Sequence, residues 1–228
     1  MLFLVKNLKA HYSGDRMEEY VILVDQNDNP IGKEEKVKCH LPNGKLHRAF
    51  SALIFNGEGK LLLTKRSESK MLWPNDWDGT VASHPRESET YVSSAERRMP
   101  EEIGIDCKMN YVNKFEYHVP YKDIGSENEI CGTLIGTIDS FDNSCLIKDE
   151  ISDIKWISPD ELKNELEQNR DAYCPWMAIA LYFLADSDSN TLEKFNSLIT
   201  KWASDDLKLV YENAIKHYIP DNNWRLVR

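Results

Sequence analysis

The stretch Trp77–Gly104, WDGTVASHPRESETYVSSAERRMPEEIG, organises the reading of this 228-residue chain. It opens with an aromatic and small residues, turns at Ser83-His84-Pro85, and becomes a charged run ending Arg97-Arg98-Met99-Pro100-Glu101-Glu102-Ile103-Gly104. Carboxylates and arginines packed on one helix suit metal ions and phosphate oxygens. Hard cations take oxygen ligands, and a guanidinium grips phosphate as a fork. Gly104 falls where a C-terminal helix stop is expected, since glycine enters the left-handed cap without steric cost. Pro100 conflicts with that helix, where it costs about 3 kcal/mol unless the helix is kinked or broken.

On the N-terminal side, Tyr20–Asp25 reads as a strand and Asn27-Asp28-Asn29-Pro30 as the turn after it. Lys33, Lys36 and Lys38 then read as a solvated edge. His40 and His47 flank a Pro-Asn-Gly turn and could converge across a loop, although two such histidines are more often surface residues than ligands. Ala49–Phe55 and Lys60–Thr64 are mostly apolar runs around Asn56-Gly57-Glu58-Gly59, a hairpin signal between strands buried on both faces. Lys65, Arg66 and Lys70 follow, ahead of the aromatic stretch Leu72–Trp77.

On the C-terminal side, Tyr111–Tyr117 and Glu127–Ile138 read as strands, with Glu127, Glu129 and Cys131 alternating onto one face. Asp153–Ile157 is a short strand, and Ser158-Pro159 opens a helix with serine at the N-cap and proline at N1. Pro175–Leu184 reads as an apolar helix. From Asn190 the chain is charged and helical, ending near His217, with a stripe of Leu192, Phe195, Leu198, Ile199, Trp202 and Leu207 that covers the core or a dimer surface. Strands interleaved with helices predict an α/β class, an α/β/α sandwich around a mixed sheet. The expected organisation is an N-terminal arm (1–19), a main domain (20–188) and a C-terminal helical extension (189–228).

A net charge of −10 should repel nucleic acid and anionic membrane, so an anionic substrate needs cations focused locally. The five cysteines, Cys39, Cys107, Cys131, Cys145 and Cys174, have no framework spacing, which fits reduced thiols and a cytoplasmic location. The N-terminal apolar run is too short for a signal peptide, and Trp176–Ala185 is about half a membrane span. No membrane insertion is expected, and the chain is read as a monomer or homodimer.

Laid on the pattern G-x5-E-x7-R-E-U-x-E-E-x-G-U, with U a bulky aliphatic, the stretch resembles the Nudix box. Glu89, Arg97, Met99, Glu101, Glu102, Gly104 and Ile105 match, while Ser83 replaces the first glycine and Arg98 the glutamate after arginine. That glutamate serves catalytic Mg2+ in Nudix hydrolases, so Arg98 argues against plain pyrophosphate hydrolysis. The two-arginine version preceded by Ser-His-Pro resembles the type I isopentenyl-diphosphate isomerases.

The resemblance runs from about Tyr20 to Leu184 and implies specific roles. A metal site would use His40, His47, His84, Glu127 and Glu129, a nitrogen/oxygen set suited to Mg2+, Mn2+ or Zn2+. Glu102 would hold a second Mg2+ through the diphosphate of an isoprenoid substrate. Lys36, Arg66, Lys70 and Arg98 would cradle that diphosphate, Tyr117 and Glu129 would protonate the alkene, and Trp176 would face the carbocation. The family interconverts isopentenyl and dimethylallyl diphosphate by adding a proton on one face and removing one from the other.

At the second proton port the family has a cysteine, and this chain has Ala82. By strand parity Cys131 lies with Glu127 and Glu129, and the hydroxyls of Ser83 and Thr80 are poor bases unless activated. Three readings stay open: an isomerase in which cysteine has been deliberately changed to alanine, a natural relative that ends the cation by cyclisation or water capture, and a non-catalytic prenyl-diphosphate binder. Pyrophosphohydrolysis is a further alternative, opposed by Arg98.

Overall fold

The structure is a computed structural model that describes residues 19–139, 141, 149–187 and 199–228. Its first half comprises β1 (Tyr20–Val24), β2 (Pro30–Glu35), a short α1 (Lys36–His40), β3 (His47–Phe55), β4 (Leu61–Arg66), β5 (Trp77–Asp78), β6 (Val81–Ser83) and α2 (Tyr91–Ile103). The second half comprises β7 (Asn110–Tyr121), β8 (Gly125–Thr137), β9 (Ile151–Ile157), α3 (Pro159–Gln168), α4 (Pro175–Ala185), α5 (Asp205–Tyr218) and β10 (Trp224–Val227), with 3₁₀ turns at Arg170–Ala172 and Ile199–Ala203.

The sheet runs β10-β7-β8-β3-β1-β2, with β6 also beside β3 and a wing in which β4 pairs β5 and β9. Among the described strand pairs only β3–β8 is parallel, in a register that sets His47 beside Glu129 and Ser51 beside Thr133. The sheet is therefore mixed.

One face of β3 and β8 sends Phe50, Ala52, Ile54 and Leu134 against Ala95, Met99 and Ile103 of α2. The other sends Ala49, Leu53, Cys131 and Ile135 against the apolar α4 and residues of α5. Burial on both faces explains why β3 reads AFSALIF with almost no alternation. The expected α/β/α sandwich is the fold.

Three local expectations need correction. The Asn56–Gly59 turn is real, with Asn56 Oδ1 accepting from Glu58 N at 3.0 Å and Lys60 N at 2.9 Å. The strands it joins splay apart after a single pair, Phe55–Leu61, because β3 is taken up by β8, β1 and β6, and β4 by β9. The lysine-rich edge also divides: Lys33 and Lys38 are exposed, while Lys36 begins α1 and is half-buried. The C-terminal helix ends at Tyr218, beside the expected His217, but the extension is not helical throughout: a strand, β10, follows, antiparallel to β7 with Trp224 opposite Tyr117.

Helix α2 keeps its course through Pro100 to the left-handed cap at Gly104 (φ 72°). The proline sits exposed in the last turn, so one hydrogen bond, to the Glu96 carbonyl, is forgone and no break is needed. At the other end Thr90 and Ser93 form a reciprocal capping box.

Leu192, Phe195 and Leu198 of the expected stripe lie outside the described residues. Ile199 and Trp202 are fully buried and Leu207 is 4% exposed, all in the cluster beneath α4. Cys39, Cys107, Cys131 and Cys174 are buried and unbridged, and Cys145 lies outside the described residues. Among the described residues no helix is long and apolar enough to cross a membrane.

Trp202 packs edge-on to Phe55 at 5.6 Å and donates from Nε1 to the Gly59 carbonyl at 2.8 Å. Trp202→Ala should therefore lower the urea-unfolding free energy by about 3–5 kcal/mol. A loss below about 1 kcal/mol would make this segment a peripheral appendage.

Candidate active site

The loop before β3 is folded back so that two histidines meet. Lys45 N donates to the Cys39 carbonyl at 2.8 Å, and Asn128 Nδ2 on β8 donates to the Gly44 carbonyl at 3.1 Å. Gly44 has φ 68°, and a Cβ there would stand 3.0 Å from the Ser126 carbonyl, so both the turn and the approach to β8 require glycine.

His40 then lies at the end of α1, and His47 at the start of β3 beside Glu129. His84 follows β6, in a turn pinned to α2 by Arg97. That guanidinium grips Glu89 at 2.6 and 3.0 Å, reaches Glu101 at 3.0 Å and touches the His84 carbonyl at 3.4 Å. The arginine of the box thus acts here as a brace.

His40, His47, His84 and Glu129 place one donor atom each within 4.8 Å of one another. His47 Nε2 is 3.1 Å from His84 Nε2, and each lies 3.3 Å from Glu129 Oε1. Glu127 adds to the rim, its Oε2 3.0 Å from His40 Nε2 but without a well-directed hydrogen bond.

The spacing fits a cation. Donors at these separations match neighbouring ligands held about 2.1 Å from a single ion. The tautomers fit too. His40 Nδ1 faces the Lys36 carbonyl at 2.6 Å and His47 Nδ1 the Lys45 carbonyl at 2.8 Å. A carbonyl only accepts, so each Nδ1 carries a proton and the neutral ring turns a lone pair on Nε2 inward. Burial alone disfavours protonating His40 and His47, yet Glu127 outweighs it at His40, and Cys39 together with Glu129 raises His47 to about 9. Burial together with Lys36 and the other two imidazoles drives His84 well down. The cluster thus attracts positive charge, which is what a metal site requires.

Tyr117 on β7 is paired with Glu129 across the sheet and donates to its Oε2 at 2.6 Å. Burial and the facing carboxylates push the Tyr117 phenol well above its ordinary range, so it keeps its proton. Burial opposes charge on Glu129, but the hydrogen bonds from His47 and Tyr117 overcome it and hold the carboxylate ionised.

A cavity of about 1610 Å³ opens above the cluster, and its wall includes Lys36, Arg66, Lys70, Arg98, Tyr117, Glu127, Glu129, Ala82 and Trp176. The structure therefore gathers all four expected cradle cations, each with an acidic partner. Lys36 meets Glu19 at 3.0 Å, and Lys70 pairs with Glu150. Burial works against both carboxylates, yet the lysines hold each at about 2. Arg98 donates to Glu102 at 2.8 Å and to Glu101 at 3.0 Å. Glu102 is buried against Arg98 and does not belong to the histidine cluster.

Ala82 sits on β6 opposite Ser51, presenting a methyl group to the cavity. Its neighbours do not replace a thiol. Thr80 Oγ1 is committed, donating to the Leu62 carbonyl at 2.7 Å and accepting from Ile54 N at 2.9 Å. Cys131 lies on the strand of Glu129, and burial keeps its thiol protonated. Ser83 lines the cavity, and among the described residues no basic side chain is in hydrogen-bond contact with it.

Sequence reasoning missed Glu19, Glu150 and Asp78. Glu150 reaches Lys70 across 80 positions of sequence, a separation that no local pattern signals. Asp78 lies within the quoted stretch but carries no motif; it accepts hydrogen bonds from Trp176, 98 residues away.

A NUDIX domain model matches residues 45–177, more than half of the chain. The isopentenyl-diphosphate delta-isomerase of Haloarcula marismortui is 36% identical over 173 residues, covering 73% of this chain and 91% of its own. Isopentenyl-diphosphate delta-isomerase 2 of Photorhabdus laumondii is 36% identical over 184 residues, covering 80% of this chain and all of its own (100%). The crystal structure of DR0079 from Deinococcus radiodurans shares the fold at a TM-score of 0.58 and 20% identity, covering 71% of this chain and 97% of that one. With a capped box helix, a four-donor cluster and relatives aligned over most of their length, the chain belongs to the Nudix family and, within it, to the isopentenyl-diphosphate delta-isomerases.

Proposed function

We propose that this chain binds an isoprenoid diphosphate and protonates its alkene, the first half of isopentenyl-diphosphate isomerisation. The observation that carries this reading is the Tyr117–Glu129 hydrogen bond, 2.6 Å, in the wall of a cavity ringed by four cations. Lys36, Arg66, Lys70 and Arg98 receive the diphosphate, whose charges exchange partly for those of Glu19, Glu150 and Glu101. Tyr117 Oη and Glu129 Oε2 hold one proton between them and deliver it to the alkene carbon that becomes a methyl group. Trp176 offers its ring to the tertiary cation that results.

His40, His47, His84, Glu127 and Glu129 would hold one divalent ion, Mg2+, Mn2+ or Zn2+, and Glu102 would serve a second Mg2+ brought with the diphosphate. A metal at the cluster supplies a fixed positive charge that keeps the three imidazoles neutral and orients Glu129. Elemental analysis after dialysis should find about one ion per chain in the unmodified protein and a clear deficit in His84→Ala. Equal content in both would remove His84 from the ligand set.

Completion of isomerisation needs a base on the opposite face, where Ala82 has only a methyl group. A cyclising or water-capturing fate for the cation is the second reading. It is favoured by Ala82, whose methyl group leaves that wall of the cavity without a base to take a proton from the cation. Interconversion of isopentenyl and dimethylallyl diphosphate, followed by NMR, should run about 10²- to 10⁴-fold below an isomerase that has the cysteine, with partial recovery in Ala82→Cys. Brisk turnover by the unmodified chain would overturn this assignment and point to Ser83 or a bound water as the second port.

A further inference from the structure

Asp78 stands outside the metal-like cluster and meets the cradle only through Arg66, and its surroundings are unusual for a carboxylate. It is 2% exposed and lies at the end of β5, behind the cavity wall. Trp176 Nε1 donates to both of its oxygens, at 2.8 and 2.9 Å. The Gly79 amide donates to Oδ1 at 2.6 Å. Among the described residues the one cation in contact is Arg66, whose Nη1 stands 3.5 Å from Oδ2 while its other N–H groups serve the carbonyls of Leu72 and Trp73. Burial pushes this carboxyl up to about 6, against the pull of Arg66 and the indole, which leaves it mostly ionised at neutral pH.

An indole N–H needs only an ordinary acceptor, and a buried, weakly paired charge is a costly way to provide one. Trp176 lines the cavity, and Arg66 already lies over its ring with 5.2 Å between the guanidinium carbon and the ring centroid. A ring that shares its π system with one cation is a poor partner for a second. A carboxylate on the indole N–H reverses this, because it adds negative charge at the ring edge and opposes the field of Arg66. Trp73, edge-on to Trp176 at 5.2 Å, helps fix the ring's tilt.

We infer that Asp78 is a positioning residue for Trp176, holding the indole and supplying the negative charge that lets its ring accept a carbocation beside Arg66. This rests on the reading that Trp176 faces the isoprenoid tail. The test compares two diphosphate monoesters by calorimetry: that of 2-(dimethylamino)ethanol, whose ammonium stands where the cation forms, and that of 3-methylbutanol, neutral and of similar shape.

The unmodified protein should prefer the ammonium compound. Asp78→Asn keeps the size and an acceptor for the indole but removes the charge. It should cut that preference by at least about tenfold, while neutral binding changes by less than about threefold. An unchanged preference in Asp78→Asn overturns the inference and leaves the role of Trp176 standing. No preference in the unmodified protein overturns the role of Trp176, and the inference with it. If the variant does not fold, the Trp176 indole N–H resonance of the unmodified protein decides. It should shift on binding the ammonium compound and not the neutral one, and a resonance indifferent to both overturns the inference.

Discussion

Everything at the site depends on the parallel pairing of β3 with β8. That register places His47 next to Glu129 and, along the same rows, Ala49 next to Cys131. Side chains alternate with a period of two, so a slip of one residue would turn Glu129 into the α2 layer and carry Ile130 to the cluster. The register is held from several directions. Apolar rows on both faces of β3 lock it between helices, β7 fixes β8 over eleven paired positions, and Asn128 ties the histidine loop to the same strand. The metal-like cluster is a consequence of how the sheet packs.

The second constraint is electrostatic. A chain with net charge −10 offers a cavity to an anion by setting acid partners beside each cation. Glu19, Glu150, Glu101 and Glu102 keep Lys36, Lys70 and Arg98 satisfied before any ligand arrives. Under the proposed function, a diphosphate would exchange partners with cations already desolvated, instead of stripping water from free ones. This also accounts for arginine at position 98. Arg98 points along α2 onto Glu102 and into the cavity wall, where a carboxylate would add to an already dense negative rim.

Much of this was legible in the sequence because it rests on short-range rules. The box helix, its glycine cap, the serine-capped α3 and the in-phase Glu127 and Glu129 all follow from local spacing, and the family pattern added the histidines. Lys36 was ambiguous because a lysine in an edge segment looks the same whether it faces water or a cavity; only the turn into α1 decides. The hairpin at Asn56–Gly59 misled because the turn chemistry is genuine while strand pairing is settled by distant partners. Asp78 and Glu150 stayed hidden for the same reason, since their meaning lies in contacts 98 and 80 residues away. Strand β10 carries no alternation strong enough to be told from a helical tail.

The pairing of β10 with β7 sets an order on folding. Tyr117 lies opposite Trp224, so the strand that carries the phenol gains its outer neighbour from the last few residues described. The cluster itself joins residues 40, 47, 84 and 129, and Trp176 comes later still. Contacts so far apart in the chain make loop closure slow relative to local helix formation. During synthesis the local capping contacts of α2 are available early, while the site acquires its geometry only after residues up to Trp176 have emerged. A nascent chain of this kind carries the whole box-helix sequence well before it has the β8 strand that packs the helix and completes the histidine cluster.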